Sequence, residues 1–411
     1  MSGGMNMTEK LYERDSLRRD CSARVRECVP QGKVYGIVLD QTVLFPEGGG
    51  QLSDQGTLVL PDGVAVPVSH VSEKDGIIFH RTTVPIVPDT HVRVVLDWDM
   101  RLDHMQQHCG EHLLSYAFWK LFGLHNVGFH MGNHTVAIDL DGEVDPAQAA
   151  QAEALANSQV WANLPVRIDY VPHTQAADMV MRKRNENLKG MLRIVSIQDS
   201  DVCTCCGTHP PFTGMVGLIK LFKLTKHKVG TRVDFLCGRW ALEDICRKVD
   251  YISTAGQLLS AKDKDVCDGI LRLKTDITAL HEQLRRKTEA LQDIEMQSLV
   301  AAPLYDSQGR QVIAAIEDDY DSDSARSLLQ KLAVLPHTVI AILYHMDQRV
   351  NYIFALGENT AGDCFQYIRK ANDVFGGKGG GKRGLCQGSA AFCPDWQEKA
   401  QQVIAYITTR T

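Results

Sequence analysis

His108-Cys109-Gly110-Glu111-His112-Leu113-Leu114-Ser115-Tyr116 places two histidines four residues apart, with Met105, His108, His112, Leu113 and Tyr116 along one side of the run. In an α-helix, positions i and i+4 lie one above the other, so the spacing predicts a helix from about Met100 to Leu121 whose two imidazoles can reach one ion. Two side chains do not make a metal site, and the chain offers a second pair in Cys203-Thr204-Cys205-Cys206-Gly207-Thr208-His209, where Cys205 and His209 are again four apart. Three cysteines within four residues of a chain without a secretory leader favour a metal over a disulfide, and thiolate with imidazole favours zinc. The expected cofactor is therefore one Zn2+ on His108, His112, Cys205 and His209. Cys203 and Cys206 compete with Cys205 for the thiolate position. A set of four protein ligands is the usual form of a structural zinc, whereas catalysis needs a fifth position or a ligand that leaves. The spacing leaves both roles open.

The same five residues read His-x-x-Glu-His, the inverted zinc-protease signature, in which Glu111 would be the general base. That reading needs an acidic third ligand downstream, and a Cys-x3-His pair is not part of its pattern. Glu111 also precedes His112 by one position and so points about 100° away from it around the helix.

The 411 residues suffice for two or three domains. A hydrophobic content of 44% and a charged content of 23% are those of an ordinary globular protein. No apolar run approaches the ~20 residues needed to span a membrane. The polar start and twelve irregularly spaced cysteines point to a reducing compartment, which makes the cytoplasm the expected location. A net charge of −6 gives no global nucleic-acid signal, so any such partner must be met by local basic patches.

Outward from the central stretch, the pattern predicts an α+β protein in four parts. Residues 1–98 read as an antiparallel β domain, with strands at Lys33 to Phe45, Gly56 to Leu60, Val64 to Val71, Gly76 to Phe79 and His91 to Leu96. Within it, Pro46-Glu47-Gly48-Gly49-Gly50-Gln51 forms a Gly-rich loop able to approach a ligand closely, flanked by Gln51, Ser53 and Asp54. Residues 99–241 read as a zinc-binding α+β domain. Val127 to Leu140 is a strand pair there, with His130 and His134 read as strand residues, and Asp145-Pro146 starts a helix to about Leu164. A strand at Val166 to Val171, a helix at Thr174 to Arg184 and strands at Met191 to Ile197, Gly217 to Leu224 and Thr231 to Phe235 follow. Residues 242–299 are a long helical linker or coiled coil. Val266, Ile270, Leu273, Ile277, Leu280, Leu284, Leu291 and Ile294 follow a heptad seam interrupted by Lys287, which fits a homodimer through 266–294 or a hairpin closed by Ile252 and Leu259. Residues 300–411 are a small α/β domain with a Gly-rich loop, Gly376-Gly377-Lys378-Gly379-Gly380-Gly381-Lys382-Arg383. Its spacing is not that of a P-loop.

Four stretches together resemble a known family. Phe45-Pro46-Glu47-Gly48-Gly49-Gly50-Gln51 with Ser53-Asp54 and Gly56, His108-x3-His112-Leu113-Leu114, Cys205-Cys206-Gly207-Thr208-His209 and Phe235-Leu236-Cys237-Gly238-Arg239-Trp240-Ala241 are similar to the alanyl-tRNA editing domain. The Gly-rich stretch at 376–384 followed by Gln387-Gly388 is similar to the C-terminal domain of alanyl-tRNA synthetase. The order covers nearly the whole chain and resembles the long free-standing AlaX proteins, a family that includes the alanyl-tRNA synthetase domain-containing proteins of animals. Two positions depart from the pattern: Glu111 stands where the family usually has Gln, and Cys206 where it has Gly. Pro210-Pro211 after His209 is also unusual.

The resemblance implies a zinc-dependent aminoacyl-tRNA hydrolase, a trans-editing enzyme that removes serine, and in some members glycine, from mischarged tRNA(Ala). It implies that His108 and His112 act at the reaction centre and that 99–241 is the editing domain. Gln51 and the amides of Gly48, Gly49 and Gly50 would bind the terminal adenosine or the amino acid, with Gln51 also a candidate catalytic group. Thr42 and Ser53 are candidates for reading the serine hydroxyl, since selectivity for serine needs a paired hydroxyl. Phosphate contacts to tRNA are expected from Arg182, Lys183, Arg184 and Lys189, from Lys220, Lys223, Lys226 and Lys228, and from Lys378, Lys382 and Arg383. The other readings are a zinc peptidase and a non-catalytic tRNA-binding protein with a structural zinc.

Overall fold

The computed structural model describes residues 7–176, 178–183, 190–228, 230–318 and 320–409. They form two compact units, Met1–Ala255 and Gly256–Thr411.

The first unit begins with a seven-stranded sheet in the order Ala65–Val68, Gly56–Val59, His91–Leu96, Asp20–Gln31, Val34–Leu39, Ile77–Thr82, His70–Lys74. Every pairing in it is antiparallel. Ala65–Val68 and His70–Lys74 lie at opposite ends of the strand order yet are separated in sequence only by Ser69. The sheet therefore curls towards a barrel, the usual way to shelter edge strands. Alternation puts Cys21, Ala23 and Val25 inside, with Ile37, Leu39, Leu58, Val92 and Val94.

The stretch that carries the two histidines is a helix, Trp98–Phe122. Asp97 caps its start, accepting from the Met100 amide, and Gly123 ends it in the left-handed region. Its middle, from Arg101 to Phe118, is mostly buried, because it lies in a core shared with the helix Pro146–Trp161 and a four-stranded antiparallel sheet. That sheet runs Asn126–Gly132, Thr135–Leu140, Gly230–Cys237, Ile219–His227. Asp145 closes a capping box with Gln148, and Pro146 is the first helical residue, as the sequence predicts. A three-stranded sheet, Val166–Pro172, Met191–Ile197 and Val202–Thr204, carries the Cys-rich segment. The helix expected over Thr174 to Arg184 is helical only at His173–Ala176; Ala177, Arg184 and Lys189 lie outside the described residues.

The second unit holds the helix Val266–Ala301 and a six-stranded mixed sheet. The sheet order is Leu304–Tyr305, Gln311–Glu317, Thr338–Met346, Arg349–Leu356, Leu385–Ala391, Lys378–Lys382, with only Gln311–Glu317 and Thr338–Met346 parallel. Two cores cover its faces, one under the helices Phe365–Phe375 and Trp396–Thr409, the other under Ser322–Leu332. The expected Gly-rich loop is not a loop. Lys378–Lys382 is an edge strand paired with Leu385–Ala391, because glycines face glycine and backbone where a Cβ at Gly379 would lie 2.5 Å from the Gly388 Cα. The heptad seam is open: Ile270, Leu273, Ile277, Leu280, Leu284, Leu291 and Ile294 are 50–67% exposed, and Leu259 closes only over Gly269 near the helix start. No helix among the described residues is long and apolar enough to cross a membrane.

Candidate functional site

The helix Trp98–Phe122 is pinned at several points. Arg101, fully buried, forms an ion pair with Asp54 and donates to the carbonyls of Val43 and Ser16. Asp54 also accepts from the Phe45 amide at 2.6 Å, so one carboxylate ties both ends of the Gly-rich segment to the helix. Further along, Gln107 bonds both the amide and the carbonyl of Cys237, and Asp103 takes Arg239 and Trp240. These bonds place His108 and His112 in a fixed register with the Gly-rich segment and the end of the strand Gly230–Cys237.

Residues 48 to 51 form a tight turn, with Gly48 and Gln51 exchanging both backbone hydrogen bonds at 3.0–3.1 Å. Gly49 and Gly50 occupy its centre at φ +61° and +82°, a turn type that glycine adopts without strain. The close approach also requires them: a Cβ at Gly49 would lie 2.7 Å from the Cys206 sulfur, and one at Gly50 would lie 2.6 Å from the Phe129 ring.

The two sequence-distant pairs meet. One donor atom from each of His108, His112, Cys205 and His209 lies within 4.8 Å of the others. His108 Nε2 is 2.9 Å from Cys205 Sγ and His209 Nε2 is 3.4 Å from it. The three rings crowd together, with centroid separations of 4.6–5.2 Å. Tetrahedral zinc with ordinary bond lengths sets donors about 3.3–3.8 Å apart, so this cluster is of the right size. The donor chemistry also fits. Burial would raise the Cys205 thiol, but His108 and His209 outweigh it and hold it well below the ordinary thiol range. Burial pushes His209 down to about 3, against the opposing pull of Cys205. A thiolate beside a neutral imidazole is the protonation state that a metal needs.

His112 has a partner behind it. Its Nδ1 donates to Asp201 Oδ2 at 2.9 Å, which leaves Nε2 as its free lone pair towards the cluster. Asp201 is buried and receives Arg182 in a two-pronged pair at 2.7 and 2.9 Å. Burial disfavours charge on His112, but Cys203 and Asp201 outweigh it and make the ring more basic than usual. Cys203 lies 3.3 Å from His112 Nδ1, in a second group with His112 and Asp201, and Cys206 belongs to neither group. Geometry thus separates the three cysteines that spacing left in competition.

Several sequence expectations change. Arg182 is not a phosphate contact, since its guanidinium is buried and committed to Asp201. Gln51 is fully buried, and its amide both donates to Thr208 Oγ1 at 2.8 Å and accepts from the Thr208 amide at 3.0 Å. It clamps the Cys205–His209 segment and does not face a substrate. Thr42 is in the β core, bonded to His80 at 2.8 Å, and Ser53 bonds His70 at 3.0 Å; neither lines the cavity described next. Glu111, expected to point away, lies on that cavity's wall with one oxygen 3.8 Å from His112 Nε2. Its other oxygen accepts from Ser115 and Asn126, both at 2.6 Å. The helix faces the cavity broadly enough that a rotation of one residue does not remove it.

The cavity has a volume of about 800 Å³. His108, His112 and Cys205 of the cluster line it, together with Gly49, Gly50, Phe129, Lys183, Arg193 and Cys206. Lys223 is exposed, and Lys220 pairs with Glu153 at 2.7 Å. Lys378, Lys382 and Arg383 are exposed in the second unit. Asp201, Arg193 and Phe129 were missed from sequence. A lone Asp in a turn, or a lone Arg or Phe on a strand, carries no spacing signal, and only pairing across the sheets brings them to the cluster.

Two family models match the chain: class II (A) tRNA synthetases over residues 18–100, and the second additional domain of threonyl and alanyl tRNA synthetases over residues 192–233. The chain is 27% identical to the alanyl-tRNA editing protein AlaX-L of Pyrococcus horikoshii, over 95% of this chain and 96% of that one. It is 26% identical to the alanyl-tRNA editing protein Aarsd1 of Mus musculus, with 98% of each covered. It is also 27% identical to the alanine–tRNA ligase of Pyrococcus furiosus, where 97% of this chain matches 43% of the ligase.

Proposed function

Because the chain belongs to the alanyl-tRNA editing proteins, we propose that it hydrolyses the ester joining serine to tRNA(Ala), acting on the mischarged tRNA in trans. The observation that carries this reading is the meeting of His108, His112, Cys205 and His209, the first three of which line a cavity that the Gly49–Gly50 turn also lines. Water adds to the ester carbonyl, the bond to the terminal ribose oxygen breaks, and free serine and tRNA leave. His108, His112, Cys205 and His209 would hold one zinc, which supplies Lewis acidity for the ester carbonyl or a fixed positive charge for the amino or hydroxyl group of serine.

The rest is done by the chain's own groups. Asp201 fixes the His112 tautomer, and Arg182 fixes Asp201. Gln51 sets the Cys205–His209 segment through Thr208. The turn at Gly48–Gly50 lets backbone approach the terminal nucleoside, and the Phe129 ring keeps water from that side. Glu111 orients Asn126, a side-chain amide on the cavity wall, which replaces Thr42 and Ser53 as the candidate for the serine hydroxyl. Lys183, Lys223, Lys378, Lys382 and Arg383 are the exposed cations offered to tRNA phosphates, and the open seam of Val266–Ala301 is a self-association surface. A substrate of charged tRNA fits the cytoplasmic location expected from the cysteine usage.

The test is deacylation of seryl-tRNA(Ala) beside alanyl-tRNA(Ala), with and without a chelator, by wild type and His108→Ala. Cleavage of the seryl ester alone, abolished by chelator and by the substitution in a folded protein, is the expected result. A fully zinc-loaded wild type that leaves the seryl ester intact would overturn the reading and favour a non-catalytic tRNA-binding protein.

A further inference from the structure

Three cations among the described residues line the cavity, and they are not equivalent. Arg182 is spent on Asp201. Lys183 is exposed. Arg193 is half-buried, donates from Nη1 to the Cys205 carbonyl at 2.6 Å, and has a fully buried Nε with no hydrogen-bond partner. Its neighbours Leu192 and Ile194 point into a hydrophobic core, so strand alternation turns Arg193 to the opposite face, towards the cavity. Tyr170 and Val195 of the same three-stranded sheet lie in regular register around it, so the guanidinium is carried on a rigid element. Among the described residues the only carboxylate on the cavity wall, Glu111, is already engaged by Ser115 and Asn126.

A half-buried guanidinium on the cavity wall, held by the Cys205 carbonyl and paired with no carboxylate among the described residues, has donor capacity left for an anion from outside the chain. An aminoacyl ester brings a cationic amino group, which Arg193 would repel. The one anion of a terminal nucleotide is its 5′ phosphate, whose tetrahedral oxygens match the planar fork. We propose that Arg193 receives the phosphodiester that joins the terminal adenosine of the substrate to the preceding nucleotide, and so sets the distance of the ester from the Cys205 side of the cluster. This rests on the editing reading for the identity of the substrate, but the anion site itself is independent of any reaction.

The experiment measures binding of a non-hydrolysable amide, 3′-deoxy-3′-(serylamido)adenosine, with and without a 5′ phosphate, to the zinc-loaded full chain. Adenosine 5′-monophosphate is run alongside. Wild type is expected to bind the phosphorylated amide at least about tenfold more tightly than the unphosphorylated one, with a preference that weakens as salt rises. Arg193→Gln should bring the ratio close to one, and Arg193→Lys should keep part of it. Zinc content is measured in each variant, since Arg193 also holds the Cys205 carbonyl. A wild-type ratio near one overturns the proposal, as does an Arg193→Gln protein that retains zinc and the full preference. Adenosine 5′-monophosphate binding as tightly as the phosphorylated amide would mean a free-nucleotide site and would also overturn it. A wild type with the phosphate preference but no deacylation of seryl-tRNA(Ala) removes the editing reading and leaves the anion site; deacylation without the preference does the reverse.

Discussion

His112 donates its Nδ1 proton to Asp201 across 2.9 Å, between residues 89 positions apart in sequence. This bond fixes which nitrogen of His112 is free, and metal-binding histidines are generally oriented by such a partner. Of the three clustered histidines, His108 and His209 have buried Nδ1 atoms without a hydrogen-bond partner, so His112 is the ring with an oriented tautomer. Asp201→Ala should weaken zinc binding about 10–100-fold, read by competition with a chromogenic chelator. Arg182→Ala should act in the same direction, since it leaves Asp201 buried without its cation. Unchanged affinity in both would mean that His112 needs no orientation.

Gln51 and Thr208 exchange two hydrogen bonds in a fully buried setting. Gln51→Ala strands the Thr208 amide and hydroxyl at once. The expected loss is about 1–3 kcal/mol of unfolding free energy in urea, with partial loss of bound zinc. Gln51→Glu keeps the acceptor for the Thr208 amide and should lose less. A direct role in substrate contact would instead leave stability unchanged and raise KM.

Much of this was legible beforehand, and the boundary has a physical cause. His108 and His112 could be read as neighbours because i,i+4 spacing on a helix is a local property of sequence. The capped helix at Asp145–Pro146 was legible for the same reason. Cys205 and His209 lie in an irregular segment, where the same spacing carries no helical register. The roles of Arg182, Gln51, Thr42 and Ser53 were misread because each depends on what a neighbouring element presents. Arg182 resembles a solvated cation until Asp201 is seen beneath it. The glycines at 376–381 suggested a loop, because glycine is permissive; it took the facing Gly388 to make an edge strand of them.

His80 gives a pH signature apart from the cluster. It is fully buried, donating from Nδ1 to the Ile37 carbonyl and accepting from Thr42 at Nε2. Burial pushes it down to about 4 from 6.5. The folded state therefore resists protonation while the unfolded chain accepts it. Stability from this residue is present above pH 6.5 and is lost as pH falls towards 4, with a total of roughly 3 kcal/mol. His80→Gln, which can keep both hydrogen bonds, should remove that slope when compared with wild type across the same window. Parallel curves for the two proteins would refute it.

Glu111 separates the editing and peptidase readings. As a carboxylate it only accepts, from Ser115 and Asn126, and a Gln carbonyl can accept the same two bonds. Glu111→Gln should therefore keep deacylation of seryl-tRNA(Ala) within about threefold, because one neutral acceptor replaces a charged one without stranding a donor. An inverted zinc protease loses its general base with the same substitution. A loss of a hundredfold or more would return Glu111 to the reaction itself.

The seam on Val266–Ala301 leads to a last prediction. Seven aliphatic side chains, from Ile270 to Ile294, are half exposed or more along one stripe, a surface that is costly to leave in water. Pairing with a second copy would bury it, and Lys287 then constrains how. It occupies a seam position between Leu284 and Leu291, so two chains in parallel register would bring the two Lys287 ammonium groups face to face. An antiparallel pair avoids that contact by setting Lys287 against an aliphatic residue. The chain should therefore sediment as a concentration-dependent dimer, and Lys287→Leu should tighten it in either orientation. Joining Cys267 of one copy to Cys267 of the other would be easy for a parallel pair and impossible for an antiparallel one, since the exposed cysteine lies at the helix start. Mild oxidation that leaves the dimer without a Cys267 cross-link supports the antiparallel arrangement; a monomer at all concentrations, in wild type and Lys287→Leu alike, rules out self-association through this stripe.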